Sequence, residues 1–261
     1  MSVLTVDDVS IAFGGVRALS DVSVRVEAGA IVGVIGPNGA GKTTLLNVVC
    51  GMNKPDQGRV TLDGTVITGR KPSEIAGRGL GRTFQTSQLF SGMSVLENMM
   101  TGLHLRGRAG LLAAALRTGA MRKEEAAMRA RALEALEFVG LRGLAERAGH
   151  ALSFGQQRIV EIARTLISEP KVVLLDEPAV GLSLNRVSEL DVLLRRIRDE
   201  KGVTLVMIEH VIRLVMDVSD RVVVLNSGHK IAEGRPEAIR RDPGVIEAYL
   251  GRQVDVGRTT P

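Results

Sequence analysis

The sequence predicts an α/β fold with an antiparallel β portion near the N-terminus and an inserted α-helical subdomain, and three patterns carry that expectation. Val22-Ser23-Val24-Arg25-Val26 places an apolar residue at every second position, as on a strand buried on one face. Ile31 to Ile35, Val172 to Leu175, Thr204 to Ile208 and Val222 to Leu225 are short continuous apolar runs, the form of central parallel strands covered on both faces. Between Gln85 and His150 strand signals vanish, and Ala-, Leu- and Arg-rich sequence of helical period replaces them.

In chain order, the alternating N-terminal segment is followed by Arg59 to Leu62, the turn dipeptide Asp63-Gly64, and Thr65 to Ile67, which together read as a tight hairpin. In the insertion, Ala126, Ala130, Leu133 and Leu136 mark one helical face. Residues 101–150 carry nine Lys/Arg and five Glu, which suits a solvated helix surface. Further on, Val187, Leu190, Leu194 and Ile197 recur at three- and four-residue spacing, so a helix separates two of the apolar strands. One domain is expected over residues 1–251, with the helical insertion at about 86–152 and a frayed tail at 252–261.

Composition bounds the function. With 261 residues, 44% hydrophobic and 24% charged, the chain belongs with globular proteins and not with disordered ones. Leu111 to Leu116 is among the longest apolar stretches, far short of the roughly 20 residues that cross a bilayer. The start, MSVLTVDDVS, lacks the basic and apolar regions of a secretory signal, so a cytoplasmic address is expected. Cys50 is the only cysteine, which excludes an internal disulfide and suits a small buried residue. The net charge of +5 fits nucleic acid, a lipid surface or phosphorylated ligands. Aromatic residues are only 2% with no tryptophan, so the stacking platforms of single-strand binding are largely missing and no nucleic-acid partner is expected.

Chemistry concentrates first in Gly36-Pro37-Asn38-Gly39-Ala40-Gly41-Lys42-Thr43, which fits G-x-x-x-x-G-K-[ST] between an apolar strand and the helical run that opens at Thr44. This is the phosphate loop of a P-loop NTPase core. Its glycines let backbone N–H groups wrap phosphate oxygens, and the helix N-terminus adds positive potential. Lys42 offsets β/γ charge and the Thr43 hydroxyl can hold Mg²⁺, which makes residues 36–44 the candidate ATP site. Val172 to Leu175 ends in Asp176-Glu177-Pro178. Two acids at a strand end divide the remaining work: Asp176 can position Mg²⁺ through its water shell, and Glu177 can polarise the hydrolytic water.

Leu152-Ser153-Phe154-Gly155-Gln156-Gln157-Arg158, just before an apolar helix, looks like the ABC signature. With the phosphate loop, Gln85, the Asp-Glu pair and His210 in family order, the chain resembles the ATP-binding subunits of ABC transporters over nearly its whole length. That resemblance implies that Phe13 stacks on adenine, that Gln85 touches Mg²⁺ and reports to the membrane partner, and that His210 is the switch histidine near the γ-phosphate. It also implies that Ser153, Gly155 and Gln156 bind the nucleotide of a second ATPase chain, so that a homo- or heterodimer sandwiches two ATP molecules. Catalytic roles fall to Glu177, His210 and Gln85, and metal contacts to Thr43, Gln85 and Asp176. The chain departs from the commonest family pattern at Phe154, where glycine is usual, and at Ser183, near the place of an aspartate.

Gly81-Arg82-Thr83-Phe84-Gln85, the long insertion, SFGQQR, IEHVIRLVMDVSDRVVVLNSG and the ending Glu247-Ala248-Tyr249-Leu250-Gly251 resemble one branch of that family. It is the larger-insertion ATPase subunit of high-affinity branched-chain amino-acid uptake systems, whose relatives serve urea, amides and other small polar solutes. The resemblance implies membrane permease partners, an indirect link to a solute-binding protein, and a peripheral place on the cytoplasmic face of the inner membrane. Three rivals stand beside it: the ATPase of a lipopolysaccharide-type exporter, a soluble ABC ATPase acting on DNA or ribosomes, and a dead nucleotide-binding scaffold, against which Lys42, Asp176, Glu177 and His210 are all present. The soluble type usually shows a long coiled coil, zinc-binding cysteines or two cassettes, none of which is present in this sequence.

Overall fold

The computed structural model describes residues 1–83, 89–103 and 119–250. Strands β1 (Ser2–Phe13) and β2 (Val16–Glu27) open the chain, β3 (Ile31–Ile35) leads into helix α1 (Lys42–Val49), and β4 (Gln57–Leu62) and β5 (Thr65–Val66) follow. Helix α2 (Pro72–Gly77) and strand β6 (Leu80–Arg82) precede a helical region with α3 (Val95–Thr101), α4 (Gly119–Phe138) and α5 (Phe154–Leu166). Next come β7 (Val172–Asp176), α6 (Leu184–Lys201), β8 (Thr204–Ile208), α7 (Ile212–Val218) and β9 (Arg221–Asn226). The described chain closes with β10 (His229–Gly234), α8 (Pro236–Ile239) and α9 (Pro243–Leu250).

The first sheet is antiparallel, in the order β2-β1-β4-β5. Val22, Val24 and Val26 are buried as the alternation requires. Asp63 (φ 47°) and Gly64 (φ 73°) make the hairpin turn in the left-handed region, where the backbone twist matches that of the flanking strands. The second sheet runs β10-β9-β3-β8-β7-β6, all parallel except the antiparallel edge strand β10. All four apolar runs are therefore parallel neighbours, and β6 and β10 are added at the edges.

Alternate residues of the parallel strands feed two cores. Val32, Val34, Val172, Leu174, Val206 and Ile208 face the antiparallel sheet and α1. Ile31, Ile35, Val173, Leu175, Leu205 and Met207 face α6 and α7, where Leu190, Leu194 and Ile197 are buried as their spacing predicts. A Cβ at Gly33 would sit 2.3 Å from Val215 Cγ1, so glycine is what lets α7 close on β3. A third cluster joins α3, α4 and α5 through Val95, Leu96, Met99, Leu136 and Val160. Helix α5 belongs to two cores at once, since Val160 and Ala163 face this cluster and Ile162 faces the sheet.

The face of α4 differs from expectation. Ala132 and Leu136 are buried, Met128 and Leu133 are partly buried, and Ala126 and Ala130 are exposed. The stripe at 128, 132 and 136 is the one that meets α3 and α5. Alanines recur on every side of this helix, so their spacing alone does not select a face.

Candidate functional site

The loop between β3 and α1 and the loops after β7 and β8 meet at the carboxyl ends of parallel strands, where open α/β sheets place their ligands. Ala18, Asn38 to Thr44, Glu177 and His210 line one open cleft there. Two glycines of the loop are dictated by close approach. A Cβ on Gly36 would lie 2.1 Å from the Leu225 carbonyl oxygen, and one on Gly41 would lie 2.5 Å from that of Ala18. Gly41 also takes the left-handed conformation (φ 100°) at the N-cap of α1, leaving the N–H groups of its first turn directed at the cleft.

Lys42 is 6% exposed, and its ammonium donates to the carbonyls of Gly36 at 2.8 Å and Pro37 at 3.0 Å. Burial holds its pKa below the ordinary lysine value, opposed by the nearby carboxylates of Glu177 and Asp176. Asp176, at the end of β7, accepts from Arg82 Nη2 at 2.9 Å with both side chains nearly dry. Arg82 also donates to Asn47 Oδ1 at 2.7 Å, which ties α1 to the acid. It lies 3.0 Å from the sulfur of buried Cys50 as well.

Glu177 has a positive φ of 49°, uncommon outside glycine. Its N–H donates to the Ile208 carbonyl at 2.9 Å, and its own carbonyl accepts from Arg158 Nη2 at 3.1 Å. Arg158 is fully buried on α5 and is paired with Glu161 at 2.9 Å. Glu177 Oε1 lies 3.0 Å from His210 Nε2. The parallel register Asp176↔Ile208 brings these two loops side by side.

Other expected residues lie elsewhere. Phe13, 49% exposed, ends β1 at the hairpin tip and does not line the cleft. Ser153, Gly155 and Gln156 start α5, also outside the cleft lining of their own chain. The Ser153 oxygen accepts the Gln156 N–H at 3.3 Å while Gln156 Oε1 accepts the Ser153 N–H at 3.0 Å, a capping box that leaves the hydroxyl proton free to donate outward. The Phe154 ring lies over Gly181, where a Cβ would come within 2.9 Å of it. Gln85 lies outside the described residues.

The motifs assign no role to three residues that the fold brings to the site: Arg82, Arg158 and Tyr249. Tyr249 reaches the Gly36 backbone from α9, with burial raising its pKa and the Gly36 N–H opposing that. All three lie inside motif-like segments, but the contacts that bring them to the site, with Asp176, the Glu177 carbonyl and Gly36, join residues well apart in sequence.

Residues 19–180 match the family model described as ABC transporter. The chain belongs to the ABC transporter family. Residues 229–255 also match the model described as branched-chain amino acid ATP-binding cassette transporter. Members of the family are ATPases coupled to transport, and this chain is one of them. It is 41% identical to the high-affinity branched-chain amino acid transport ATP-binding protein BraF of Pseudomonas aeruginosa, over 95% of this chain and 98% of that protein. It is 42% identical to LivG of Salmonella typhimurium, over 95% and 97%. Among solved structures, a nucleotide-free ATP-binding cassette from an ABC transporter superposes with a TM-score of 0.84 at 36% identity, covering 96% of this chain and all of that one. A dimeric cassette in a post-hydrolysis state bound to ADP and Pi gives 0.75 at 28% identity, covering 89% and 98%. Among the described residues no helix is long and apolar enough to cross a membrane.

The donor set fits a nucleotide-borne cation. Among the described residues no three His, Cys, Asp or Glu side chains converge as a resident metal site would need. Thr43 lines the cleft and Asp176, paired with Arg82, ends β7 next to Glu177; a hydroxyl and a carboxylate are the hard oxygen donors that suit Mg²⁺, which is commonly held by one or two protein oxygens together with substrate phosphates and water.

Proposed function

We propose that this chain hydrolyses ATP to power uptake of branched-chain amino acids, or a related small polar solute, through a membrane permease. The contact of 3.0 Å between Glu177 and His210, beside the Lys42 loop, carries this mechanism. Backbone N–H groups of residues 36–44 and the Lys42 ammonium hold the β/γ-phosphates. Thr43 and Asp176 would hold Mg²⁺, which supplies charge neutralisation on those phosphates when bound. Glu177 orients the attacking water and accepts its proton, and His210 holds the carboxylate in place and faces the γ-phosphate.

The N-terminus of α5 completes the site of a second ATPase subunit, since Ser153 stands away from its own cleft with a hydroxyl proton to offer. Closure therefore depends on the γ-phosphate, and reopening follows its loss. A groove bordered by Arg78, Arg82, Phe90, Thr101, Arg164 and Lys171, between the sheet edge and the helical subdomain, suits a docked permease segment. The subunit would then sit peripherally on the cytoplasmic face of the inner membrane. Kinship supports the solute, through the C-terminal match and the names of the relatives.

Glu177→Gln tests the mechanism. It keeps side-chain shape and removes the base, so hydrolysis falls by at least ~10²-fold, the lower end of what a positioned general base contributes. Nucleotide binding survives, and light scattering with ATP and Mg²⁺ shows accumulated dimers, either alone or with the partner ATPase. Near-wild-type turnover rules out Glu177 as the base. Lost turnover with no ATP-dependent dimer in either pairing refutes the sandwich.

A further inference from the structure

The loops after β7 and β8 carry the two halves of the hydrolytic pair, and a third residue joins them. Glu209 immediately precedes His210, where a strand-end acid would ordinarily turn to water, yet it is 1% exposed. Its carboxylate accepts three backbone N–H groups, from Ala179 on one oxygen and from His210 at 2.9 Å and Val211 at 3.1 Å on the other. Ala179 belongs to the Glu177 loop, whereas His210 and Val211 belong to the loop that carries the imidazole. Burial pushes the Glu209 carboxyl above the usual carboxylate range, and the three N–H groups pull it back. An apolar side chain at this position would take the acceptor away from all three donors.

We propose that Glu209 is a positioning residue for hydrolysis: its buried carboxylate staples the Glu177 loop to the His210 loop and so fixes the contact between Glu177 Oε1 and His210 Nε2, a role that rests on reading those two as the hydrolytic pair. The strands beneath do not need the staple. Strand β7 stays in register with β8 through its own ladder, and the Glu177 N–H is held by the Ile208 carbonyl at 2.9 Å. What the staple controls is the chain beyond the strand ends, where a misplacement of about 1 Å can cost ~10²-fold in rate. The phosphate loop hangs on a different strand, β3, so nucleotide affinity and turnover separate. Gln at 209 keeps the size and one acceptor but turns an N–H₂ donor toward N–H donors on one of the loops. Asp keeps the charge but is one methylene too short to span both.

The experiment measures ATP turnover and binding of a fluorescent ATP analogue for Glu209→Gln and Glu209→Asp, each in wild-type and His210→Ala backgrounds. Turnover of both variants falls about tenfold or more, with KM and analogue affinity within about twofold of wild type. In the His210→Ala background the same substitutions add less than about twofold, because the staple acts through the imidazole. Wild-type turnover in both variants overturns the proposal, as do losses that multiply with His210→Ala. Loss of analogue binding in both variants also overturns it, since the residue then supports the fold at large. If Glu177→Gln and His210→Ala leave hydrolysis intact, the proposal falls together with the hydrolytic pair. Wild-type turnover of the Glu209 variants beside a slow Glu177→Gln overturns the staple alone.

Discussion

Arg82→Met removes the guanidinium from a buried pair while keeping most of the side chain's length. Arg82 Nη2 is 2.9 Å from Asp176 Oδ2, and the two side chains are 8% and 5% exposed, so water cannot replace the lost partner. Leaving one member of a buried pair uncompensated costs about 3–5 kcal/mol. At about 2–4 °C per kcal/mol for a chain near this size, the melting temperature falls by roughly 6–20 °C. The second half of the test is Arg82→Met with Asp176→Asn. Removing the orphaned charge returns much of the lost stability, even though it also removes an acidic ligand. Differential scanning calorimetry of the two variants and wild type measures both effects. A fall of less than ~2 °C in the single variant, or a double variant less stable than the single, refutes the claim that Asp176 is held as a dry anion by Arg82.

Other outcomes follow from the same site. Lys42→Ala loses ATP hydrolysis and most nucleotide affinity, and unchanged binding of a fluorescent ATP analogue would remove the phosphate-loop assignment. The wild-type lysine also sets a pH dependence. Burial lowers its pKa from 10.5, and phosphate binds the charged form, so affinity falls as pH rises toward 10.5 and binding takes up a proton in that window. Calorimetric titration in buffers of different ionisation enthalpy reads that proton, and a flat affinity up to 10.5 contradicts the assignment. Ser153→Arg costs about 1 kcal/mol through loss of the α5 cap. It leaves nucleotide binding to the dilute monomer intact but blocks ATP-dependent dimers, and poor monomer binding would place Ser153 in its own site instead.

The sequence alone determined the parts whose chemistry is local. A glycine-rich turn must join a buried strand to a helix within a few residues, so the 36–43 spacing reveals both its geometry and its ligand. Asp176-Glu177 was legible because an apolar run that ends in two acids marks the end of a buried parallel strand. The two-residue turn at Asp63-Gly64 needs only its own backbone conformation. Tertiary structure decided everything that depends on which strands lie side by side. Glu177 and His210 meet because β7 pairs with β8 in the register Asp176↔Ile208, and Glu209 is buried by that same closure. Arg82 finds Asp176 across the β6–β7 pairing, and neither residue type nor spacing announces a partner so far along the chain. The face of α4 was likewise settled by α3 and α5, since an alanine-rich helix offers several nearly equivalent sides until its neighbours dock against one.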